Sequence, residues 1–328
     1  MMISQPIGDG DALMEGDPRT GASADFLDAM LFGLAQREKA IPCRFLYDAQ
    51  GSGLFDEICL LPEYYPTRTE KRLLATHAVE IGARVGPGAR FIELGAGSGG
   101  KAEWLLDALP SPAGYVCIDI SPVPLAATAQ AIARAYPALE VASICADYLG
   151  AFDLAEQNAG PDLCFFPGST IGNFERGDAL GFLAQWRQRM GPDGMMLVGV
   201  DLKKDVALLE RAYDDSQGVT ARFSLNVLAR ANRELGADFD LARFRHRARY
   251  IADPGYIRID LVSLADQMVS IAGQSFAFAK GEALHIENSH KYAVEEFAAM
   301  AHKAGFASAG VWTDPQHLFS LHLLRAGD

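Results

Sequence analysis

The 328-residue sequence is poor in the features that mark exported, membrane-spanning or nucleic-acid-binding chains. Its five cysteines (Cys43, Cys59, Cys117, Cys145 and Cys164) are odd in number, widely spaced and free of any CxxC pair. That pattern argues against a disulfide framework and against a structural zinc site. No segment approaches the ~20 consecutive apolar residues that cross a bilayer. The opening MMISQPIGDGDALMEGDP has neither the basic nor the apolar segment of a secretion signal, so a reducing cytoplasm is the expected compartment. Basic charge is also scarce. Lys and Arg number 29 against 42 Asp and Glu, a formal net charge of −13, which disfavours non-specific binding to nucleic acid or anionic membrane. His285, Glu287 and His290 do not match a usual metal-ligand spacing, and no metal is expected.

Apolar residues are plentiful, at 49% of the chain, enough for one large domain or two moderate ones. Residues 1–24, rich in Gly, Asp, Ser and Pro, read as a flexible tail. Helical patterns follow over Asp25–Arg37 and Thr67–Val85. Apolar strands are expected at Ala89–Leu94, Gly114–Ile118, Glu140–Cys145, Asp162–Phe166 and Met195–Val200, with helices at Lys101–Leu109 and Pro122–Ala135 between them. Continuous apolar strands alternating with helices predict an α/β fold, a parallel sheet with helices on both faces. The rhythm breaks after Asp201: 205–248 read as helical and 250–288 as alternating strands. A helix at 293–304 and strands at 309–312 and 318–325 then return to the first sheet. The expected organisation is a Rossmann-like domain of residues 67–204 and 287–328, interrupted by an insert. That insert, 205–286, joins 25–66 in a second, smaller α+β substrate-binding domain.

The first strand ends in FIELGAGSGGK, residues 91–101, where Gly95, Gly97 and Gly99 permit a tight turn and close approach of a ligand to the backbone. Gly95, Gly97 and Gly100 also satisfy GxGxxG, so a dinucleotide and an NAD-dependent dehydrogenase stay open at this point. Three acids favour another ligand. Glu93 at the strand end would repel a pyrophosphate and suit a cationic sulfonium amino acid. Asp119 ends the second strand, where it can accept from two ribose hydroxyls. Asp147 follows the third, with Tyr148 beside it, placed to accept from an adenine amine. Lys101 is placed to pair with a carboxylate. These are the parts of S-adenosylmethionine.

Further motifs are YDAQGSGLFDEICLLPEYYPTRTE (47–70), FFPGSTIGNF (165–174), DLKKD (201–205), RAYDDSQGVTARFSLNVLARANRELGADFD (211–240), IENSHKY (286–292) and WTDP (312–315). With ELGAGSGGK they closely resemble the L-histidine Nα-methyltransferases of ergothioneine biosynthesis, in order from about residue 45 to the C-terminus. The resemblance implies a class I methyltransferase fold with S-adenosylmethionine as cofactor and S-adenosylhomocysteine as product. The implied activity is methylation of the α-amino group of L-histidine, up to the trimethylated betaine hercynine. It places the cofactor over Gly95, Gly97, Lys101, Asp119 and Asp147, and Tyr47 near cofactor and acceptor amine. Tyr64, Asn173 and Tyr213 would hold the amino acid's backbone groups, with Gly168 turning a carbonyl toward the amine. Glu287 and Ser289 would read the imidazole. Leu261 stands where a methionine near the substrate ring would be expected, and Asn288 and His290 where other members often carry apolar or small residues, changes expected to reshape the side-chain pocket. Another free amino acid, such as tryptophan or tyrosine, is the alternative acceptor. No partner beyond the small-molecule substrate is implied, and the chain is expected to act as a monomer.

Overall fold

The computed structural model describes residues 18–97, 100–150, 152, 154 and 160–327, and side chains from residue 24 onward. Gly99 of the glycine loop and most of the expected tail lie outside the described residues. Along the chain, α1 (Pro18–Ala35), α2 (Ala49–Leu60) and α3 (Tyr65–Val85) precede β1 (Arg90–Leu94), α4 (Ala102–Leu106), β2 (Gly114–Asp119) and α5 (Pro122–Ala135). Next come β3 (Val141–Cys145), β4 (Asp162–Phe166), α6 (Arg176–Met190), β5 (Met195–Asp201), α7 (Val206–Tyr213) and α8 (Val219–Leu235). Five strands follow: β6 (Phe244–Ile251), β7 (Tyr256–Ser263), β8 (Gln267–Ile271), β9 (Gln274–Phe278) and β10 (Ala283–His290). The chain closes with α9 (Val294–Lys303), β11 (Phe306–Thr313) and β12 (Phe319–Ala326).

The main sheet has the order β11-β12-β5-β4-β1-β2-β3, with β1 to β5 parallel and β12 antiparallel to β5. Its central strands are apolar on both sides because both faces are covered. Phe91 and Phe165 pack with α3, α4 and α5, while Ile92, Cys164 and Phe166 pack with α6 and α9. This is the expected class I methyltransferase sheet. Strand order reverses between β1 and β4, which opens a crevice at their carboxyl ends. No described helix is long and apolar enough to cross a membrane.

A three-stranded antiparallel sheet, β10-β7-β6, and the β8-β9 hairpin stand apart from it. One apolar core runs through α1, α2, α7, α8 and these strands, from Phe26 and Met30 through Leu54, Leu209 and Phe223 to Ile259 and Ile286.

Three expectations change. A helix starts at Pro18, inside the expected tail. Residues 244–248, expected to be helical, form β6, whose FRHRARYI alternates between buried and open positions with period two. Pairing with β7 overrides the helical leaning of its Arg and Ala. The boundary expected at 286/287 falls within β10, so residues 287–290 belong to the smaller sheet.

Past β10 the chain crosses to the end of β5. The Tyr292 N–H donates to the Asp201 carbonyl, and the Lys203 N–H to the Tyr292 carbonyl. The same strand end packs against the turn Thr170–Asn173, where a Cβ on Gly172 would lie 2.6 Å from the His290 carbonyl oxygen. Gly172→Ala should therefore push β10 off this turn and cost about 1–3 kcal/mol, as overpacking does. Urea denaturation measures it; an unchanged midpoint would show that β10 yields freely.

Candidate active site

The crevice is built first from the glycine loop. Gly95 and Gly97 have φ of +68° and +41°, a region that favours glycine. The Gly95 N–H donates to the Ile118 carbonyl (2.8 Å). The Gly97 N–H donates to Asp119 Oδ2 (3.2 Å), and the Ser121 N–H to Asp119 Oδ1 (2.8 Å). Each Asp119 oxygen keeps a lone pair, enough to accept from a vicinal diol. Tyr148 lies beside Gly95 and is braced edge-on by Phe166 at 5.5 Å. Asp147 is half-buried and accepts from the Leu149 N–H (2.9 Å).

Glu93 differs from its expected role as a carboxylate offered to the ligand. It is 2% exposed, and the Tyr115 hydroxyl donates to it at 2.5 Å from the neighbouring strand. Burial raises its pKa to about 7, against the Tyr115 hydrogen bond and the Lys101 charge. Its place is within the sheet, at the end of β1 that leads into the loop.

Lys101 pairs with Glu70, a fully buried carboxylate on α3, at 2.6 Å. The Gly168 N–H donates to both Glu70 oxygens (2.9 and 3.0 Å), at a φ of +76°. One carboxylate thus ties the cofactor-loop lysine to the turn after β4. Glu70 sits in the quoted motif YYPTRTE, but its helical spacing gives no sign that it turns into the crevice.

The opposite wall is aromatic. Tyr47 follows the turn Cys43–Leu46 and precedes Asp48, which caps α2 through the Gly51 N–H (2.7 Å) and accepts from Asn226 (2.7 Å). The Tyr47 ring meets Phe55 and Phe223 edge-on at 5.6 and 5.3 Å; Tyr64 meets Phe55 at 6.1 Å and Tyr213 at 6.0 Å. Burial, with the Glu287 charge for Tyr47 and Tyr213 for Tyr64, pushes these two phenols well above their ordinary pKa. They are neutral donors at physiological pH. Tyr148, which lies beside Gly95, is also a source of the Tyr47 shift, so Tyr47 lies within electrostatic reach of both Glu287 and Tyr148. Asn173 is half-buried, and its amide takes no partner among the described residues.

β10 supplies the last group. A bulge between His285 and Glu287 resets the alternation of the strand. Glu287, Ser289 and the following Lys291 then share a side. Glu287 is 9% exposed and accepts no hydrogen bond among the described residues. Burial raises its pKa to about 7, with Lys291 opposing. Ser289 Oγ lies 2.9 Å from the Tyr213 hydroxyl, and Lys291 Nζ donates to both (2.8 and 2.7 Å). The Tyr213 carbonyl is held by His246 Nε2 (2.8 Å), whose other ring nitrogen meets Ser224 (2.9 Å).

Behind them lies a network that the sequence motifs contained without revealing. Asp201, fully buried at the end of β5, pairs with Lys291 (2.7 Å) and Lys204 and accepts from the Tyr65 hydroxyl (2.8 Å). Burial opposes its charge, but the two lysines outweigh burial and hold its pKa down. Burial draws Lys204 down to about 8, against Asp201.

Two expectations about the side-chain pocket are corrected. Asn288 and His290 point the other way, to Glu175 at 2.7 and 3.4 Å, so their identity does not shape the cleft. Leu261 is fully enclosed in the core, paired with Leu284 and His246, and presents no surface to the cleft. Among the described residues no cluster of His, Cys, Asp or Glu is arranged to hold a metal ion.

The family profile described as histidine-specific methyltransferase, SAM-dependent, matches residues 26–326. A histidine N-alpha-methyltransferase of Mycolicibacterium smegmatis is 40% identical over 299 residues, covering 89% of this chain and 92% of that protein. A protein of the same name from Mycobacterium tuberculosis is 39% identical over 297 residues, covering 89% and 92%. Ergothioneine biosynthesis protein 1 of Neurospora crassa is 32% identical over 297 residues, 87% of this chain and 33% of that protein. The chain belongs to the SAM-dependent, histidine-specific methyltransferases.

Proposed function

We propose that this chain methylates the α-amino nitrogen of L-histidine, stepwise to the trimethylated betaine hercynine, as the methylating step of ergothioneine biosynthesis. The observation that carries the choice of acceptor is Glu287. It is a buried carboxylate on the cleft wall without a donor among the described residues, within electrostatic reach of Tyr47. A buried acceptor left unpaired costs about 1–3 kcal/mol, and more when charged, so it favours a side chain that brings an N–H. Imidazole does; a hydrocarbon ring does not. The histidine N-alpha-methyltransferases at 40% and 39% identity support the same reading.

In this reading Asp119 receives the ribose hydroxyls, Lys101 the methionyl carboxylate, and Asp147 and Tyr148 the adenine, over the turn at Gly95 and Gly97. S-adenosylmethionine supplies a methyl group on a positive sulfur, an electrophile that needs no metal. Tyr64, Tyr213 and Asn173 hold the acceptor's backbone groups, and the Gly168 turn and Tyr47 fix the amine. The residues' work is alignment and water exclusion, since displacement at carbon requires nucleophile, methyl and leaving sulfur in line. Tyr47 and Tyr64 stay protonated, so they orient the amine and do not act as bases. The nitrogen lone pair forms the new C–N bond as the C–S bond breaks, leaving S-adenosylhomocysteine. The amine must therefore enter in its neutral form.

The test is methyl transfer to each of the free amino acids, read by mass spectrometry, with wild type and Glu287→Ala. Wild type should convert histidine in preference to tryptophan or tyrosine. Glu287→Ala should narrow that ratio by about ten- to a hundredfold, the loss of a buried hydrogen-bonding match. Conversion of tryptophan or tyrosine ahead of histidine by wild type would overturn the reading.

The Glu287 carboxyl also predicts a pH signature in the ligand-free protein. Its pKa rises from 4.5 to about 7 on folding, so between these values the folded protein holds a proton that the unfolded chain releases. Stability from this group is full below pH ~4.5 and falls as pH rises toward ~7. Glu287→Gln lacks that loss, so it should gain on wild type by on the order of 2–3 kcal/mol between about pH 5 and 8. Urea melts of both proteins at the two pH values measure the difference. A gap that does not change with pH would mean the carboxylate is solvated.

A further inference from the structure

Lys291 is fully enclosed, and its contacts can be counted. An ammonium has three N–H donors and no acceptor. Here they go to Asp201 Oδ2 (2.7 Å), the Tyr213 hydroxyl (2.7 Å) and Ser289 Oγ (2.8 Å). Both hydroxyls therefore accept from the lysine and keep their own protons. They lie 2.9 Å apart, so one hydroxyl donates a hydrogen bond to the other. The remaining O–H has no acceptor within the network. Tyr213 is 9% exposed and Ser289 3%, so the phenol is the group that opens to the cleft. A hydroxyl that accepts from an ammonium and from a second hydroxyl is a strengthened donor, suited to an anion.

The charges around it lead to the same ligand. Lys291 and Lys204 share the single carboxylate of Asp201, which leaves one positive charge in excess behind Tyr213. Asp314 lies near Lys204, but its oxygens accept from the N–H groups of Gln316, Leu318 and Phe319, and it pairs with neither lysine among the described contacts. Glu287 acts on the same wall without touching Lys291.

We propose that Lys291, anchored on Asp201, is the positioning residue that makes the site select a free α-carboxylate, which it receives through the Tyr213 hydroxyl. This rests on the amino-acid methylation proposed above. A bound carboxylate meets that charge at hydrogen-bond range through the Tyr213 hydroxyl; an amine of the same side chain without one brings no such partner.

The experiment compares L-histidine, histidinamide and histamine as ligands and acceptors, in wild type, Lys291→Met and Tyr213→Phe. Methionine keeps the length of the side chain and leaves Asp201 paired with Lys204. Calorimetry in the presence of S-adenosylhomocysteine should show wild type binding histidine about ten- to a hundredfold more tightly than histidinamide. Lys291→Met should raise KM for histidine by a similar factor with a smaller change in kcat. The preference over histidinamide and histamine should collapse while S-adenosylhomocysteine affinity persists, and Tyr213→Phe should reproduce the collapse. Histidinamide binding wild type as tightly as histidine would overturn the proposal, even if Lys291→Met does not fold. So would a folded Lys291→Met that weakens all three ligands equally, the mark of a purely structural lysine. A wild type that methylates histidine yet fails these comparisons sinks only the role of Lys291. One that methylates no free amino acid sinks the proposed function and this inference with it.

Discussion

Asp201 is the point on which the arrangement turns. It ends β5, the strand where the main sheet meets the smaller unit, and it is closed to solvent. Its side chain binds Lys204, Lys291 and the Tyr65 hydroxyl, its N–H donates to Ser169 Oγ, and its carbonyl accepts from Tyr292. A buried carboxylate survives only with its partners in place, because removing one leaves a charge that costs about 3–5 kcal/mol. The start of α3, the turn after β4, the end of β5 and the segment after β10 are therefore fixed relative to one another. The start of α3 carries Tyr64, the turn after β4 carries Gly168 and Asn173, and the segment after β10 continues from the strand end that carries Ser289.

The same economy of charge separates the two halves of the crevice. On the cofactor side Lys101 is matched one to one by Glu70, and Glu70 also fastens the Gly168 turn. In the proposed function, moving Gly168 would thus disturb the lysine, which couples the side that holds the cofactor to the side that faces the acceptor. On the proposed acceptor side two lysines meet one aspartate, and the phenols of Tyr47, Tyr64 and Tyr213 stay neutral because burial disfavours phenolate.

Much of this could be read from sequence because the signals were periodic or positional. Continuous apolar runs such as DLCFF mark a sheet covered on both faces, and an acid directly after a strand, like Asp119, lies at a crevice by geometry alone. What stayed hidden depends on contacts between distant segments. Nothing local distinguishes Glu70 in an ordinary helical run from a solvated acid, and Lys291 in SHKY looks like a surface lysine until the segment after β10 is laid along the end of β5. The bulge at 285–287 was equally invisible, yet it decides that Glu287 faces the cleft while Asn288 and His290 face Glu175. FRHRARYI failed for a related reason: its strand state comes from β7, not from its own residues.

That bulge also bears on how specificity is distributed along β10. In a regular strand, alternation would put Ile286 and Glu287 on opposite faces. Here both are buried, Ile286 in the apolar core and Glu287 at the cleft. The extra residue lets one strand seal the core and present a carboxylate within two positions. From Glu287 onward the period of two places Ser289 and Lys291 beside it, so the proposed side-chain reader and the lysine behind Tyr213 come from the same five residues. In the proposed function, recognition of the ring and of the carboxylate is thereby locked to one register: a slip of β10 by a single residue would exchange Glu287 and Ser289 for Asn288 and His290. The pairing of β10 with β7 holds that register, and the Gly172 turn packs on the His290 carbonyl too closely to admit a Cβ.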